Sequence, residues 1–310
     1  MATLLFTHPV CLEHDTGDYH PECADRLKVI LAALEGEEFG ALLREQAPQA
    51  EREHLLRAHV AHHVDHVLHV VPAKGEHYHI DPDTVLSSSS GDAALRSAGA
   101  AVAAVDAVAK GEVRNAFCAV RPPGHHAERD AAMGFCLFNN AAVAALHARD
   151  AHGFKRVAVV DFDVHHGNGS QHILWDEDCT FYASTHQEHA YPNTGLAEET
   201  GGKGRMVNVP LPAGCGSDDF RQVWDDIVVY KLREFAPDFL IISAGFDAHA
   251  QDPLAHMRLT TADFKWATQR LLDVARDTAA NRVVSVLEGG YDLPALAASV
   301  REHVRVLMEY

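Results

Sequence analysis

The sequence predicts an α/β chain with a mostly parallel central sheet and helices on both of its faces. Three observations carry this. Apolar β-type runs alternate with helix-period segments along the whole chain, the pattern of strand–crossover–strand units. The runs are near-continuous in Val, Ile and Ala, as in Arg156-Val157-Ala158-Val159-Val160, and strands buried on both faces read that way. No repeat, linker or low-complexity tract divides the 310 residues, so a single domain over 1–310 is expected.

Taken in order, the first strand falls at 3–7. The start of the chain, Met1 to His8, lacks a basic flank and is too short for a signal sequence, so it reads as β. Helices follow over 22–35 and 57–71. The second carries His59, His62, His63, His66 and His69 opposite Val60, Val64, Val67 and Val71, which predicts a solvated histidine face rather than a metal store. Ser87-Ser88-Ser89-Ser90 reads as a turn and cap for a helix over 91–110. Then come a strand at 115–120, a helix over 138–152, and strands at 156–162, 179–184 and 205–210. A helix over 218–235, a strand at 238–243, a helix over 260–280, a strand at 282–288 and a helix over 294–308 complete the chain.

Composition narrows the function. Hydrophobic residues make up 47% of the chain, as in a globular protein. No uncharged apolar run reaches about 18 residues, so no membrane span is expected. Cys11, Cys23, Cys118, Cys136, Cys179 and Cys215 form no CxxC pair, which predicts reduced thiols and a cytoplasmic location. The formal charge, 26 − 44 = −18, disfavours direct nucleic-acid binding. It suits a cationic ligand by steering, or serves solubility alone. A homo-oligomer stays open.

The densest motif is Asp161-Phe162-Asp163-Val164-His165-His166-Gly167-Asn168-Gly169, placed directly after an apolar β run. Carboxylates and imidazoles are what divalent transition metals bind. On extended chain, residues two apart share a face, so Asp161, Asp163 and His165 are expected to point one way. Three other strands end in comparable residues: Arg121-Pro122-Pro123-Gly124-His125-His126-Ala127-Glu128, Ser243-Ala244-Gly245-Phe246-Asp247 and Glu288-Gly289-Gly290-Tyr291. In open α/β sheets, that carboxyl edge is where ligands bind.

Chemistry suggests roles. Asp163, His165 and Asp247 would supply three ligands to Zn²⁺ or Fe²⁺, leaving positions for water and substrate. His125 and His126 form a candidate acid/base pair, and Asp161 would hydrogen-bond one of these imidazoles and hold it charged. Tyr291 offers a phenolic donor to a developing oxyanion. Each residue alone has an ordinary alternative: Asp247 as a helix cap, the His pair as an exposed turn, Tyr291 as a packed aromatic. Together they describe a metal-assisted amide hydrolase.

RPPGHHA, DFDVHHGNG, SAGFDAH and EGGYDL, with His20-Pro21-Glu22 and Arg26 upstream, closely resemble the histone deacetylase superfamily. That superfamily includes bacterial deacetylase-like amidohydrolases and acetylpolyamine amidohydrolases. The resemblance implies a single-domain arginase/deacetylase fold with catalytic Zn²⁺ on Asp163, His165 and Asp247. It implies that His126 is the main general base and acid, that Asp161 orients His125, and that Tyr291 is the oxyanion donor. It implies a structural K⁺ held by Asp161, Asp163, His165, Ser184 and Thr185. Asn168 makes the chain class II-like. Phe135, Tyr191 and Leu254 would line the substrate tunnel, and Arg26 an inner acetate cavity. An apolar Leu254, where polyamine-specific relatives carry Glu, favours acetyl-lysine in a peptide or protein over small acylated amines.

Overall fold

The computed structural model describes residues 2–310. Its strands are β1 Thr3–Thr7, β2 Leu43–Gln46, β3 Tyr78–Asp81, β4 Thr84–Leu86, β5 Asn115–Cys118, β6 Val157–Asp161, β7 Thr180–Gln187, β8 Met206–Leu211, β9 Phe239–Ala244 and β10 Val283–Leu287. Its helices are α1 Ala24–Ala33, α2 Arg52–Leu55, α3 Ala61–His69, α4 Ser90–Ala109, α5 Asn140–His152, α6 Asn168–Leu174, α7 Ser217–Val223, α8 Tyr230–Phe235, α9 Thr261–Thr278 and α10 Leu293–Glu309. A π segment, Trp224–Val229, joins α7 to α8, so the single helix expected over 218–235 is continuous with one wide turn in its middle.

Eight strands form one sheet in the order β2-β1-β5-β10-β9-β6-β7-β8, and every neighbouring pair is parallel. Helices α4 and α5 cover one face with α6 beside them; α1, α9 and α10 cover the other, and α7–α8 lean on α9. The four central strands β5, β10, β9 and β6 are buried at every position. That double-sided burial is why they read as continuous apolar runs.

The elements the sequence did not announce are the short or polar ones. Strand β2 is Leu43-Arg44-Glu45-Gln46, exposed throughout at the sheet edge. Charged side chains there discourage pairing with another chain, and they erase the hydrophobic pattern. The separate antiparallel hairpin β3–β4 is similarly short, and α6 has seven residues.

Two expectations are corrected. His59 and His63 are buried, while His62, His66 and His69 are exposed. His59 donates through Nδ1 to the Glu128 carbonyl (2.8 Å) and accepts at Nε2 from the Asn139 amide (2.9 Å). His63 reaches the Leu137 carbonyl at 2.9 Å. These two imidazoles brace the 126–139 loop, because its polar backbone is buried and needs partners. Nor does the serine run cap α4 through a side chain. Ser90 Oγ instead accepts from the Ser87 amide at 2.7 Å, closing the turn ahead of the helix.

A buried ion cluster ties the start of the chain under the sheet edge. Arg121, just beyond β5, contacts Glu22 through Nε (2.5 Å) and Nη2 (2.8 Å), and Arg26 Nη1 donates to the same carboxylate at 3.0 Å. All three side chains are fully buried. Burial alone would raise the Glu22 pKa, but Arg121, then Arg26, outweigh it and push it from the ordinary 4.5 down to about 2. Glu22 therefore binds its proton less readily folded than unfolded. Its stabilisation is complete above about pH 4.5 and is lost as pH falls towards 2. In urea unfolding, Glu22→Gln should lower stability by about 3–5 kcal/mol at pH 7. The gap to wild type should shrink as pH drops below about 4.5; a gap independent of pH would contradict this account.

Candidate active site

The carboxyl ends of β5, β10, β9 and β6, four adjacent strands, carry His125/His126, Tyr291, Asp247 and the Asp161–His165 segment respectively. The route differs from the expected one at the last of these. Strand β6 stops at Asp161 and the chain then bends, so Asp163 and His165 are not presented by extended chain. Asp161 Oδ1 accepts from the Asp163 amide (3.1 Å) and Asp163 Oδ1 from the His165 amide (2.9 Å). Each carboxylate captures the N–H two residues on, an Asx-type turn, and the two turns in succession carry the segment away from the strand.

Asp163, His165 and Asp247 are buried with their donor atoms within 4.8 Å of one another. His165 Nδ1 lies 3.1 Å from Asp163 Oδ1 and 3.1 Å from Asp247 Oδ2. The remaining oxygens are held by the backbone: Asp163 Oδ2 by the Gly289 amide (2.8 Å) and Asp247 Oδ1 by the Val164 amide (2.8 Å). Among the described residues, both carboxylates have only histidines as ion-pair partners. Burial, then Asp163, raises the Asp247 pKa to about 7. The His165 imidazole, despite burial, is raised to about 10 by the two carboxylates. Two carboxylates and an imidazole so placed fit a divalent cation.

The tandem histidines are electrostatically unlike. His125 Nδ1 sits 2.9 Å from Asp161 Oδ2, and its Nε2 is 3.8 Å from Asp163 Oδ2. Burial opposes its charge, but Asp163 and Asp161 outweigh burial and hold it well above the usual imidazole range. His126 Nδ1 faces only the neutral Asn168 Oδ1, at 2.8 Å. Burial, then His125 and His165, press it well below that range.

Tyr291 stands just ahead of the last helix: its amide donates to Asp252 Oδ2 (2.7 Å), and Asp292 caps α10 by accepting from the Ala295 amide (2.9 Å). Burial holds its phenol well above the ordinary value against the pull of Arg26, so it stays a hydrogen-bond donor. Arg26 lies 4.8 Å from the Tyr291 ring centroid. It donates to the carbonyls of Gly290 (2.6 Å) and Glu288 (2.5 Å) and to Glu22 (3.0 Å). It thus sits behind Tyr291 with its donors engaged. Phe135 and Tyr291 rings meet edge to face at 5.9 Å, and Tyr191 stands 5.1 Å from His126. Leu254 is 40% exposed, on a loop tied to the Tyr291 segment because Asp252 Oδ1 accepts from its amide (3.0 Å). Ser184 pairs in register with Asp161, and both Ser184 and Thr185 are buried.

Several residues that shape this region have no role that their sequence context reveals. Glu288 is fully buried and accepts from the Gly124 (2.7 Å) and His125 (3.1 Å) amides and from Ser243 Oγ (2.8 Å). Asp252 clips the Tyr291 loop, as above. Asp83 Oδ1 accepts from the Gly134 amide (3.1 Å) beside Phe135. Only the EGGY spacing hinted at Glu288.

Sheet and site together define the class, a parallel α/β protein whose candidate metal centre sits on the carboxyl edge. A family model for the histone deacetylase domain matches residues 20–307. Histone deacetylase 14, chloroplastic, from Arabidopsis thaliana is 36% identical over 334 residues, covering 99% of this chain and 77% of the relative. The histone deacetylase-like amidohydrolase of Pseudomonas aeruginosa is 42% identical over 275 residues, 87% of this chain and 71% of the relative. The crystal structure of the HDA15 HD domain superposes with a TM-score of 0.93 at 37% identity, over 99% of this chain and 88% of that one. Against two other plant deacetylases the match spans 49% and 50% of their length. The chain belongs to the histone deacetylase family, metal-dependent hydrolases of the deacetylase and amidohydrolase kind.

The packing is tight enough to test. A methyl group on Gly289 would lie 2.6 Å from Asp163 Oδ2 and press on the Asp247 carboxylate. Gly289→Ala should lower the urea midpoint by the equivalent of about 1–3 kcal/mol. An unchanged midpoint would mean the two carboxylates are free to move apart.

Proposed function

We propose that residues 1–310 form one catalytic domain that hydrolyses N-ε-acetyl-lysine, in a peptide or protein, to lysine and acetate. The observation that carries this is the convergence of Asp163, His165 and Asp247 with two unlike histidines and Tyr291 on four adjacent strand ends. Zn²⁺ or Fe²⁺ on Asp163, His165 and Asp247, when bound, polarises the acyl carbonyl and acidifies water.

The side chains divide the remaining work. His126, kept neutral by burial and by its charged neighbours, takes a proton from the attacking water at Nε2 and returns one to the leaving amine. His125, anchored by Asp161, contributes fixed positive charge as the tetrahedral carbon forms. Tyr291 donates to the developing oxyanion. Phe135 and Tyr191 flank the lysine stem through apolar contact, and Arg26 borders the inner end, where acetate leaves. The register pairing of Asp161 with Ser184 supports a structural K⁺ among Asp161, Asp163, His165, Ser184 and Thr185. Asn168 beside His126 supports the class II-like reading. Six unpaired cysteines suit a reducing compartment such as the cytoplasm. Among the described residues, no helix is long and apolar enough to cross a membrane.

One observation favours a second reading, acetylpolyamine hydrolysis. Burial, then Asp83, holds the Tyr191 phenol above its ordinary value, with Asp81 adding to it, and such carboxylates would attract a cationic substrate. Leu254, exposed and uncharged, argues for the acetyl-lysine reading. Turnover of an acetyl-lysine peptide should exceed that of N-acetylputrescine; the reverse order would transfer the assignment. On the preferred substrate His126→Ala should cost about 10²–10⁴-fold in kcat and Tyr291→Phe about 10²–10³-fold. An undiminished rate in either variant would remove that residue's role. Adding Zn²⁺ to chelator-stripped protein should raise its melting temperature, and Asp247→Ala should abolish the rise; equal shifts in both would place the ion elsewhere.

A further inference from the structure

Among the described residues, Asn168 is the one hydrogen-bond partner of His126 Nδ1, and a carboxamide can face an imidazole either way round. With its oxygen inward it accepts from Nδ1–H and leaves Nε2 with a free lone pair. With its NH₂ inward it donates to Nδ1 and forces the proton onto Nε2. The two orientations are nearly identical in shape, so the groups behind Asn168 decide.

Those groups are all acceptors. Asn168 Nδ2 donates to Glu128 Oε1 at 2.8 Å, with Met133 Sδ at 3.3 Å and the His126 carbonyl at 3.5 Å. A carboxylate accepts and never donates, and its charge strengthens the bond. Glu128 is itself fixed. Its amide donates to the Ala131 carbonyl (2.9 Å), and its own carbonyl accepts from buried His59 (2.8 Å). Its second oxygen lies 3.2 Å from His172 Nδ1 at the surface. Asn168 is buried and Glu128 is 31% exposed, so the line runs from the catalytic pocket to solvent.

We infer that Glu128 is a positioning residue that fixes the tautomer of His126 by locking the Asn168 carboxamide with its oxygen inward. The inference rests on the reading of His126 as proton acceptor, which requires a bare Nε2. Glu128 touches neither substrate nor reacting atoms; it acts through Asn168. It also explains how a neutral Asn can serve in this position: the acceptor-only group the imidazole needs is supplied one residue further out.

The test uses the zinc-loaded, full-length protein with ¹⁵N-labelled histidine. In wild type the His126 side-chain nitrogens should show the Nδ1–H form. Glu128→Ala removes the lock, so the Nε2–H form should appear and kcat should fall on the order of tenfold, with KM within about twofold. Glu128→Gln, whose carbonyl still accepts from Asn168, should recover most of both signals. Asn168→Asp placed in the Glu128→Ala background should also recover them, because a carboxylate has no donor side to present. Placed alone, Asn168→Asp sets two carboxylates against each other and should do worse than in the double variant. The inference is overturned if Glu128→Ala keeps the Nδ1–H form, or if Asn168→Asp gives no recovery in its background. Failure of the general-base reading would look different: His126→Ala would retain activity while the tautomer still responded to Glu128.

Discussion

Four carboxylates with almost no exposure, Asp161, Asp163, Asp247 and Glu288, are held at the carboxyl ends of three adjacent strands, β6, β9 and β10. Charge so placed is costly unless it is paired and hydrogen-bonded. The loops around it answer that need. Amides of Gly124, His125, Asp163, Val164, His165 and Gly289 all point at these oxygens, and the countercharge comes from imidazoles and from whatever cation the centre holds. The loop conformations are set by this demand as much as by their own sequence. It is also why glycine is required at 289, where a side chain would stand among the oxygens.

The same negative centre makes two adjacent histidines chemically distinct. His125 and His126 have ring centroids 4.0 Å apart. One faces Asp161 and the other faces Asn168. A charged imidazole sits next to a neutral one because the first has a carboxylate partner and the second only a neutral amide, since two imidazolium groups at that separation would repel. The asymmetry is therefore a property of the pair, arising from which loop contributes which partner.

The central strands and every long helix were legible because burial on both sheet faces and on one helix side writes itself into hydrophobic pattern. The convergence of the candidate residues was legible for a different reason: Asp163, His165, Asp247, His125, His126 and Tyr291 sit just past those strands, within short motifs. The bends after Asp161 were not legible, since side-chain capture of a backbone amide leaves no periodic trace. His59 and His63 misled for a related reason. Their spacing resembled a polar face, while their actual partners are carbonyl and amide groups of a loop some 70 residues away in sequence. Edge strand β2 and hairpin β3–β4 lacked pattern because they bury too little to need one.

The order of strands has a bearing on biosynthesis. β10, the last strand in sequence order among the described residues, lies between β5 and β9. Without it, the strand order falls into two groups, β2-β1-β5 and β9-β6-β7-β8, each with an unpaired inner edge. Val283–Leu287 must therefore have been synthesised before those halves can be joined. A chain ending before β10 would carry open sheet edges, the feature that invites pairing with other chains, and would lack Tyr291 altogether.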